Sequence, residues 1–271
     1  SLIDFKLSSD HPVMALGGNS IEMAILSLGV MQIGIPFVPV SPSYSLLSED
    51  FGKLKYIFDL IDPALIYVPD VAPFEKGLQA ILAGVKSKKP RMVSNNDEPE
   101  FMAFSELTNT SAGPEVEQAY AQVTGDSIAK YLFTSGSTGM PKAVITTQRM
   151  MCANATGVCQ QLPVFSDHPP IIVDWMPWHH VAAGNLTFNV ILRSGGTYYL
   201  DKGRPTPKEF DITIQNLKEI QPTFMQNVPL VYERLAHYLE EDEDFARHLF
   251  GKIDFMLYAS APMPAPVQER L

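Results

Sequence analysis

Residues 131–142 read Tyr-Leu-Phe-Thr-Ser-Gly-Ser-Thr-Gly-Met-Pro-Lys, and this stretch is the most informative part of the sequence. An apolar, β-prone run ends at Phe133 and passes directly into small hydroxyl-bearing residues, and a proline and Lys142 close the segment. Gly136 and Gly139 allow positive φ angles and a close approach of the backbone to a ligand. Successive N–H groups in such a turn form an anion-binding nest. With the charge of Lys142, the pattern predicts a strand followed by a polyphosphate-binding loop.

A plainer interpretation also fits this segment, since clusters of Gly, Ser and Thr between periodic segments often form flexible loops. A Walker A loop needs four residues between its first glycine and a Gly-Lys-Ser/Thr end. Here two residues separate Gly136 from Gly139, and Lys142 follows a proline. The sequence therefore excludes the P-loop NTPase and dinucleotide fingerprints, and it leaves the phosphate loop and the flexible loop as alternatives.

The composition describes a globular chain with ample core, because 46% of its 271 residues are hydrophobic and 18% are charged. This length suits one large α/β domain or two smaller ones. No apolar run is long enough to span a bilayer and no signal-peptide pattern opens the chain, so we expect no membrane partner. The net charge of −10 argues against a nucleic-acid partner. A local loop can still bind ATP.

The two cysteines, Cys152 and Cys159, both fall in a predicted helix over 148–161. In a helix they would lie about 10 Å apart along the axis, beyond the reach of a disulfide. We therefore expect two free thiols, a reducing cytoplasmic location and no cysteine metal site.

Strands and helices alternate regularly before the loop. Apolar runs predict strands at 13–16, 37–40 and 64–68. Helical spacing predicts a helix that is capped by Asn19 or Ser20 and ends just before Gly34, and further helices at 49–61 and 74–86. Residues 94–118 interrupt this rhythm and are predicted as surface loops around one short helix near 101–107. The alternation predicts a parallel sheet with helices on its faces.

The alternation resumes after a return strand at 143–146. Predicted strands lie at 171–173, 197–200, 223–226 and 254–258. Predicted helices lie at 148–161, 182–192, 207–220, 229–240, 244–250 and from about Pro266 onward. The sequence thus predicts an α/β fold of two packed, doubly wound, mostly parallel sheets with helices on their faces, with subregions at about 1–125 and 126–271.

Two tryptophans and two histidines follow the predicted strand 171–173, at Trp175, Trp178, His179 and His180. Open α/β sheets bind ligands at the carboxyl ends of their strands, which makes this segment a candidate crevice wall. The alternative is that the tryptophans belong to the core and the histidines to the surface.

The turn at 258–264, Tyr-Ala-Ser-Ala-Pro-Met-Pro, leaves the last predicted strand. Its small side chains would let a flat base lie against the backbone. A plain strand-to-helix connection is the alternative.

Residues 131–142 resemble the phosphate-binding signature of the adenylate-forming superfamily, which contains acyl-CoA synthetases, peptide-synthetase adenylation domains and firefly luciferase. The resemblance extends over nearly the whole chain and implies the N-terminal domain fold of an acyl-CoA synthetase. It implies ATP-phosphate contacts from Thr134, Ser135, Gly136, Ser137, Thr138, Gly139 and Lys142.

The resemblance also assigns roles to the two other segments. Pro177 followed three residues later by His180 matches the second superfamily motif, which implies that His180 lines the acyl pocket and helps to organise adenylation as the catalytic residue. The turn implies adenine contacts from Ser260, Ala261 and Pro262, although Ala259 and Ser260 replace the usual glycines. The candidate acyl-pocket residues are Trp178, His180, Asn227 and Val228.

Within the superfamily, several segments look most like feruloyl-CoA synthetases, namely 40–45, 50–54, 147–154, 174–178 and 226–229. This resemblance implies that ATP activates an aromatic, hydroxycinnamate-type carboxylate as acyl-AMP, and that CoA then takes the acyl group as a thioester. The alternatives are a fatty-acyl or amino-acid adenylating enzyme, or a non-catalytic nucleotide-binding fragment. No acidic side chain at 226–229 would pair with the ammonium of an amino acid.

Several family motifs do not occur in residues 1–271: the Tyr-Gly-x-Thr-Glu motif whose glutamate binds Mg²⁺, the Thr-Gly-Asp segment, the hinge and the C-terminal lysine. We therefore expect a Mg²⁺ ligand outside this chain and a partial N-terminal domain that lacks its start and the C-terminal lid domain. These residues alone are expected to form no thioester.

Overall fold

The computed structural model describes residues 2–85, 89–134 and 139–271, and the chain divides into two compact units. One unit comprises residues 1–152 with 178–181, and the other comprises residues 153–177 with 182–271. The division that the sequence suggested near residue 125 falls inside the first unit, because the two strands that follow residue 125 pair with its sheet.

The first unit contains one seven-stranded sheet. Its strands are β1 Val13–Leu16, β2 Phe37–Val40, β3 Leu65–Val68, β4 Arg91–Ser94, β5 Met102–Ala103, β6 Ile128–Thr134 and β7 Lys142–Thr147. Their spatial order is β5-β4-β3-β1-β2-β6-β7, and every neighbouring pair is parallel except β6 and β7. Its helices are α1 Ile21–Gln32, α2 Ser43–Leu46, α3 Gly52–Ile61, α4 Val71–Leu82, α5 Phe104–Thr108, α6 Pro114–Tyr120 and the first turn of α7 Gln148–Gln161.

Strands β1, β2 and β3 are buried along their whole length, as expected for central parallel strands covered on both faces. The cap predicted for α1 is confirmed, because the Ser20 Oγ accepts a hydrogen bond of 3.0 Å from the backbone N–H of Met23. Gly34, just beyond this helix, has a φ of +79°, a left-handed conformation that favours glycine.

The prediction of loops over 94–118 is wrong in part. Strands β4 and β5 and helix α6 lie in or border this region, besides the expected short helix, α5. Strand β4 escaped detection because it begins with the exposed Arg91 and buries only its last two residues, whereas β1, β2 and β3 are buried throughout. Helix α6 buries none of its residues, so no apolar stripe marks it in the sequence.

The second unit contains two short parallel ribbons. They pair β8 Ile171–Asp174 with β9 Thr197–Leu200, and β10 Phe224–Asn227 with β11 Phe255–Tyr258. Thr223 joins the ribbons, since its backbone N–H donates to the Ile171 carbonyl at 2.9 Å and its Oγ1 accepts from the Ile171 N–H at 3.0 Å. The helical elements are the rest of α7, α8 Val164–Asp167, a π-helical segment Ala182–Thr187, α9 Phe188–Arg193, α10 Phe210–Glu219, α11 Pro229–Glu241, α12 Glu243–Phe250 and α13 Ala265–Arg270.

Helices cover both faces of these ribbons, and the strands divide their side chains between the faces with a period of two. Ile172 and Phe224 pack with residues of α7, α8 and α9. Val173 and Met225 pack with residues of α10, α11 and α12. The predicted α/β class, with mostly parallel sheets between helical layers, is confirmed.

Both cysteines lie on α7 and both are free, as predicted; Cys152 is exposed and Cys159 is buried.

In the part of the chain that the structure describes, we find no helix that combines the length and the apolar character needed to cross a membrane.

Candidate functional site

The predicted phosphate loop connects two antiparallel strands of the first unit. Strand β6 ends at Thr134 and β7 begins at Lys142, and these two residues are register partners. Because β6 runs parallel to β2, the connection leaves the carboxyl edge of the sheet, where open α/β sheets bind ligands. Gly139 has a φ of +92°, in the region that favours glycine. The predicted loop residues Ser135, Gly136, Ser137 and Thr138 lie outside the described residues.

The segment Trp178–Val181 also belongs to the first unit. Trp178 is buried, and its backbone N–H donates a hydrogen bond of 2.9 Å to Asn19 Oδ1. Asn19 follows β1 and precedes the cap of α1, so this bond fixes the segment at the carboxyl edge of the same sheet. Within this unit, the structure therefore brings the ends of the loop and the histidine segment to one edge.

The two adjacent histidines differ in their electrostatic setting. The His179 and His180 ring centroids are 4.5 Å apart, with the rings tilted by 40°. Burial and, secondarily, the neighbouring His180 lower the pKa of His179 to about 4. His179 is therefore neutral at physiological pH and adds no positive charge to this segment.

Asn227 organises the carboxyl edge of the second unit. Its Oδ1 accepts a hydrogen bond of 3.0 Å from Trp175 Nε1, just beyond the end of β8. Its backbone carbonyl accepts a hydrogen bond of 3.2 Å from the N–H of Ala259, just beyond β11. Asn227 thus ties the strand end next to Val228 to the turn that carries the predicted adenine contacts.

That turn is open to solvent, since Ser260, Ala261 and Pro262 are all exposed. Ser260 has a φ of +78°, a left-handed conformation that glycine adopts more readily. The backbone here keeps a glycine-like path although Ala259 and Ser260 stand where the family has glycines.

Asn227→Leu is expected to lower the free energy of unfolding by about 1–2 kcal/mol, because the indole N–H of the partly buried Trp175 loses its acceptor. Urea titration of both single variants and the double variant with Trp175→Phe measures this. In the double variant the orphaned donor is removed, so the combined loss should be smaller than the sum of the two single losses. Strictly additive losses would show that the bond contributes nothing.

Sequence reasoning missed a buried carboxyl group at the end of β8. Asp174 is fully buried, and it accepts hydrogen bonds from the Tyr198 hydroxyl at 2.5 Å and from the Met176 N–H at 2.9 Å. Burial raises the pKa of Asp174 to about 7, with a smaller contribution from the charge of Asp201, while hydrogen bonds from Tyr198, Met176 and Trp175 oppose the rise. Asp174 holds the chain as it enters the Trp175–Val181 segment.

The second unit also contains a cavity of about 660 Å³, open to solvent, on the α7 side of its ribbons. Register pairs Phe224 with Phe255 and Gln226 with Leu257, and all four side chains line this cavity because residues two apart share a strand face. The remaining lining residues are Ala153, Asn154, Gly157, Val158, Gln160, Gln161, Leu162, Phe165, Leu186, Thr187 and Val190.

The four predicted acyl-pocket residues, Trp178, His180, Asn227 and Val228, are not among the residues that line this cavity. Trp178 and His180 belong to the first unit. Asn227 is the strand neighbour of Gln226 and therefore points to the opposite face of β10, where it bonds Trp175. The sequence signals that could have located the cavity are the alternation of Phe224 and Gln226 and a glycine, Gly157, in the interior of a helix.

Among residues 2–85, 89–134 and 139–271, no group of three or more His, Cys, Asp or Glu side chains is placed to hold a metal ion.

Comparisons with known proteins agree with this architecture. A family model described as "AMP-binding enzyme" matches residues 1–271. A long-chain-fatty-acid–CoA ligase of Rattus norvegicus is 23% identical over 251 residues, which cover 89% of this chain and 36% of the ligase. The chain thus spans little more than a third of that relative.

Two solved structures share the fold over 99% of this chain. The ATP-bound MatB of Rhodopseudomonas palustris superposes with a TM-score of 0.72 at 20% identity, and 48% of its chain is covered. The luciferase-like enzyme of the nonluminescent mealworm Zophobas morio superposes with a TM-score of 0.78 at 17% identity, and 58% of its chain is covered.

Proposed function

This chain belongs to the AMP-binding enzyme family, and we propose that it takes part in the ATP-dependent activation of a carboxylic acid. In the proposed reaction, a carboxylate oxygen attacks the α-phosphorus of ATP, and the bond to pyrophosphate breaks to give acyl-AMP. The CoA thiolate then attacks the acyl carbon, and AMP leaves as the thioester forms. The observation that carries the proposal is a glycine- and hydroxyl-rich strand connection at the carboxyl edge of a mostly parallel sheet.

The proposed contacts with ATP come from the segments that the sequence singled out. Thr134, Gly139 and Lys142, with residues 135–138, would hold the phosphates and stabilise the charge of the leaving pyrophosphate. Residues 260–262 would contact adenine. His180 would organise the reacting groups beside a neutral His179.

The cavity supports an acid with an extended apolar tail. Most of its wall is aliphatic or aromatic, and none of its lining residues carries a charge, which disfavours an amino-acid substrate. The rat relative is named a long-chain-fatty-acid–CoA ligase, which supports a fatty-acyl substrate. We therefore place a fatty acid first among the candidate substrates.

A hydroxycinnamate-type aromatic acid is the second candidate, favoured by the rings of the cavity wall. Phe165 meets Phe224 edge-on at 5.1 Å, and Phe224 stacks with Phe255 at 6.0 Å between centroids. Planar ligands gain from offset or edge-on packing against such rings.

Acid-dependent exchange of pyrophosphate into ATP tests the function, with dodecanoate, ferulate and alanine as the acids. Lys142→Ala is expected to weaken ATP binding roughly 10- to 100-fold, because one hydrogen bond to a charged group is lost. Lys208→Ala removes the same charge from an exposed site in the other unit and is the control. Exchange that proceeds equally without any acid would contradict the proposed function, and unchanged ATP affinity in Lys142→Ala would contradict the loop assignment.

A further inference from the structure

One buried polar pair interrupts the apolar wall of the cavity. Thr187 and Gln226 are 1% and 3% exposed, and Thr187 Oγ1 lies 3.0 Å from Gln226 Oε1. Both side chains line the cavity. The other polar lining residues, Asn154, Gln160 and Gln161, are exposed and therefore mark the mouth rather than the interior.

The hydrogen bonds within this pair do not use the amide N–H groups of Gln226. The Thr187 hydroxyl also lies 3.1 Å from the carbonyl oxygen of Ala182, so its single hydrogen is shared between two acceptors. Gln226 Nε2 carries two hydrogens, and across the described ranges no residue accepts a bond from it. This nitrogen is not among the fully enclosed unpartnered atoms, so it keeps access to the cavity.

A purely hydrocarbon tail in the cavity would cover this amide without pairing it. A donor that loses its water and finds no acceptor costs binding free energy. An oxygen atom of the ligand tail at hydrogen-bonding distance would remove this cost. Sites that hydrogen-bond a substrate oxygen reject analogues that lack it more strongly than apolar pockets reject a missing methylene. The polar pair is therefore positioned to discriminate between tails by their oxygen content.

We propose that Gln226, oriented by Thr187, selects acids whose tail carries an oxygen, which accepts a hydrogen bond from the Gln226 Nε2 group. The proposal rests on the proposed function, in which the cavity receives the acyl tail. The oxygen can come from two sources, a hydroxyl or methoxy group on an aromatic ring or a hydroxyl group along an aliphatic chain.

Titration calorimetry of the full chain with matched acids tests this proposal. The pairs are coumarate against cinnamate, and hydroxylated dodecanoates with the hydroxyl group at successive chain positions against dodecanoate. We expect the oxygenated member of at least one pair to bind roughly 10- to 100-fold more tightly. Gln226→Leu should abolish that preference and bind the plain acid more tightly than the natural protein does.

The controls separate side-chain chemistry from folding. Gln215→Leu makes the same replacement at an exposed position of α10 outside the cavity and should keep the preference. Gln226→Met serves as a second variant if the leucine variant fails to fold. Thr187→Val removes the orienting hydroxyl and should reduce the preference for the oxygenated acid.

The outcomes separate a failure of the role proposed for Gln226 from a failure of the proposed function. A preference in the aromatic pair alone supports the aromatic source, and a preference in the aliphatic series alone supports the chain hydroxyl. If plain and oxygenated acids bind equally, the role of Gln226 is overturned while the acyl cavity stands. If no acid binds the natural protein, the acyl cavity itself is overturned, and the role of Gln226 with it.

Discussion

Replacing Gly157 with phenylalanine is expected to lower the affinity for bulky and long-chain acids roughly 100-fold, because the new side chain would fill the space proposed for the acyl tail. Gly157 lies in the interior of α7 and lines the cavity. A Cβ atom placed on it meets nothing within 4 Å outside its sequence neighbours and the helix's own backbone, so the ring can extend toward the cavity. Calorimetric titration with dodecanoate and ferulate measures the loss.

Two variants control for effects on folding. Gly157→Ala should raise the free energy of unfolding by about 0.5–1 kcal/mol, since glycine in a helix interior is destabilising relative to alanine, and should change acid binding little. Gly84→Phe adds the same ring at an exposed position of the first unit where a Cβ also meets nothing. If Gly157→Phe binds both acids as the natural protein does, the cavity does not receive the tail.

The elements that the sequence predicts well are those with a strong local pattern. Strands β1, β2 and β3 are continuous apolar runs because helices cover both faces, and α1 carries an explicit serine cap. Strand β4 and helix α6 lack such a pattern. Strand β4 has an exposed start and buries only its last two residues, and α6 buries none of its side chains, so neither shows a periodic apolar pattern in the sequence.

The candidate site divides in the same way. The strand connection after Thr134 is local in sequence, and its composition alone predicts an anion-binding turn. The cavity is not local, since it is assembled from α7, the π-helical segment and the ribbon of β10 and β11. Gln226 and Asn227 are neighbours in sequence, yet strand alternation sends one into the cavity and the other to Trp175. The acyl-pocket role of Asn227 stays a prediction, and it would place that contact on the face of β10 opposite the cavity.

Asp174 has a polar environment that sequence periodicity could not reveal, and its protonation links stability to pH. The groups that act on it are the Tyr198 hydroxyl, the backbone N–H groups of Met176 and Trp175, and the carboxylate of Asp201. Burial raises the pKa of the Tyr232 phenol on α11, and the charge of nearby Asp174 raises it further. If Asp174 ionised, its buried negative charge would be repelled by the carboxylate of Asp201.

The direction of the pH effect follows from the two pKa values of Asp174. Its pKa is about 7 in the folded protein against an ordinary value of 3.8. Between these values the folded state keeps a proton that the unfolded state has released, so this group lowers stability as the pH rises from about 4 to about 7. At about 1.4 kcal/mol per pH unit, the loss approaches about 4 kcal/mol.

Asp174→Asn cannot ionise and should therefore lack this loss. Its free energy of unfolding relative to the natural protein should increase by several kcal/mol between about pH 4.5 and about pH 7.5, as followed by urea titration. Asp211→Asn is the matched control, because Asp211 accepts an equivalent 2.5 Å bond from the Tyr238 hydroxyl at an exposed site. Parallel pH profiles for Asp174→Asn and the natural protein would mean that Asp174 is already ionised in the fold. Its bonds to Tyr198 and Met176 would then hold the start of the Trp175–Val181 segment as charge-assisted contacts.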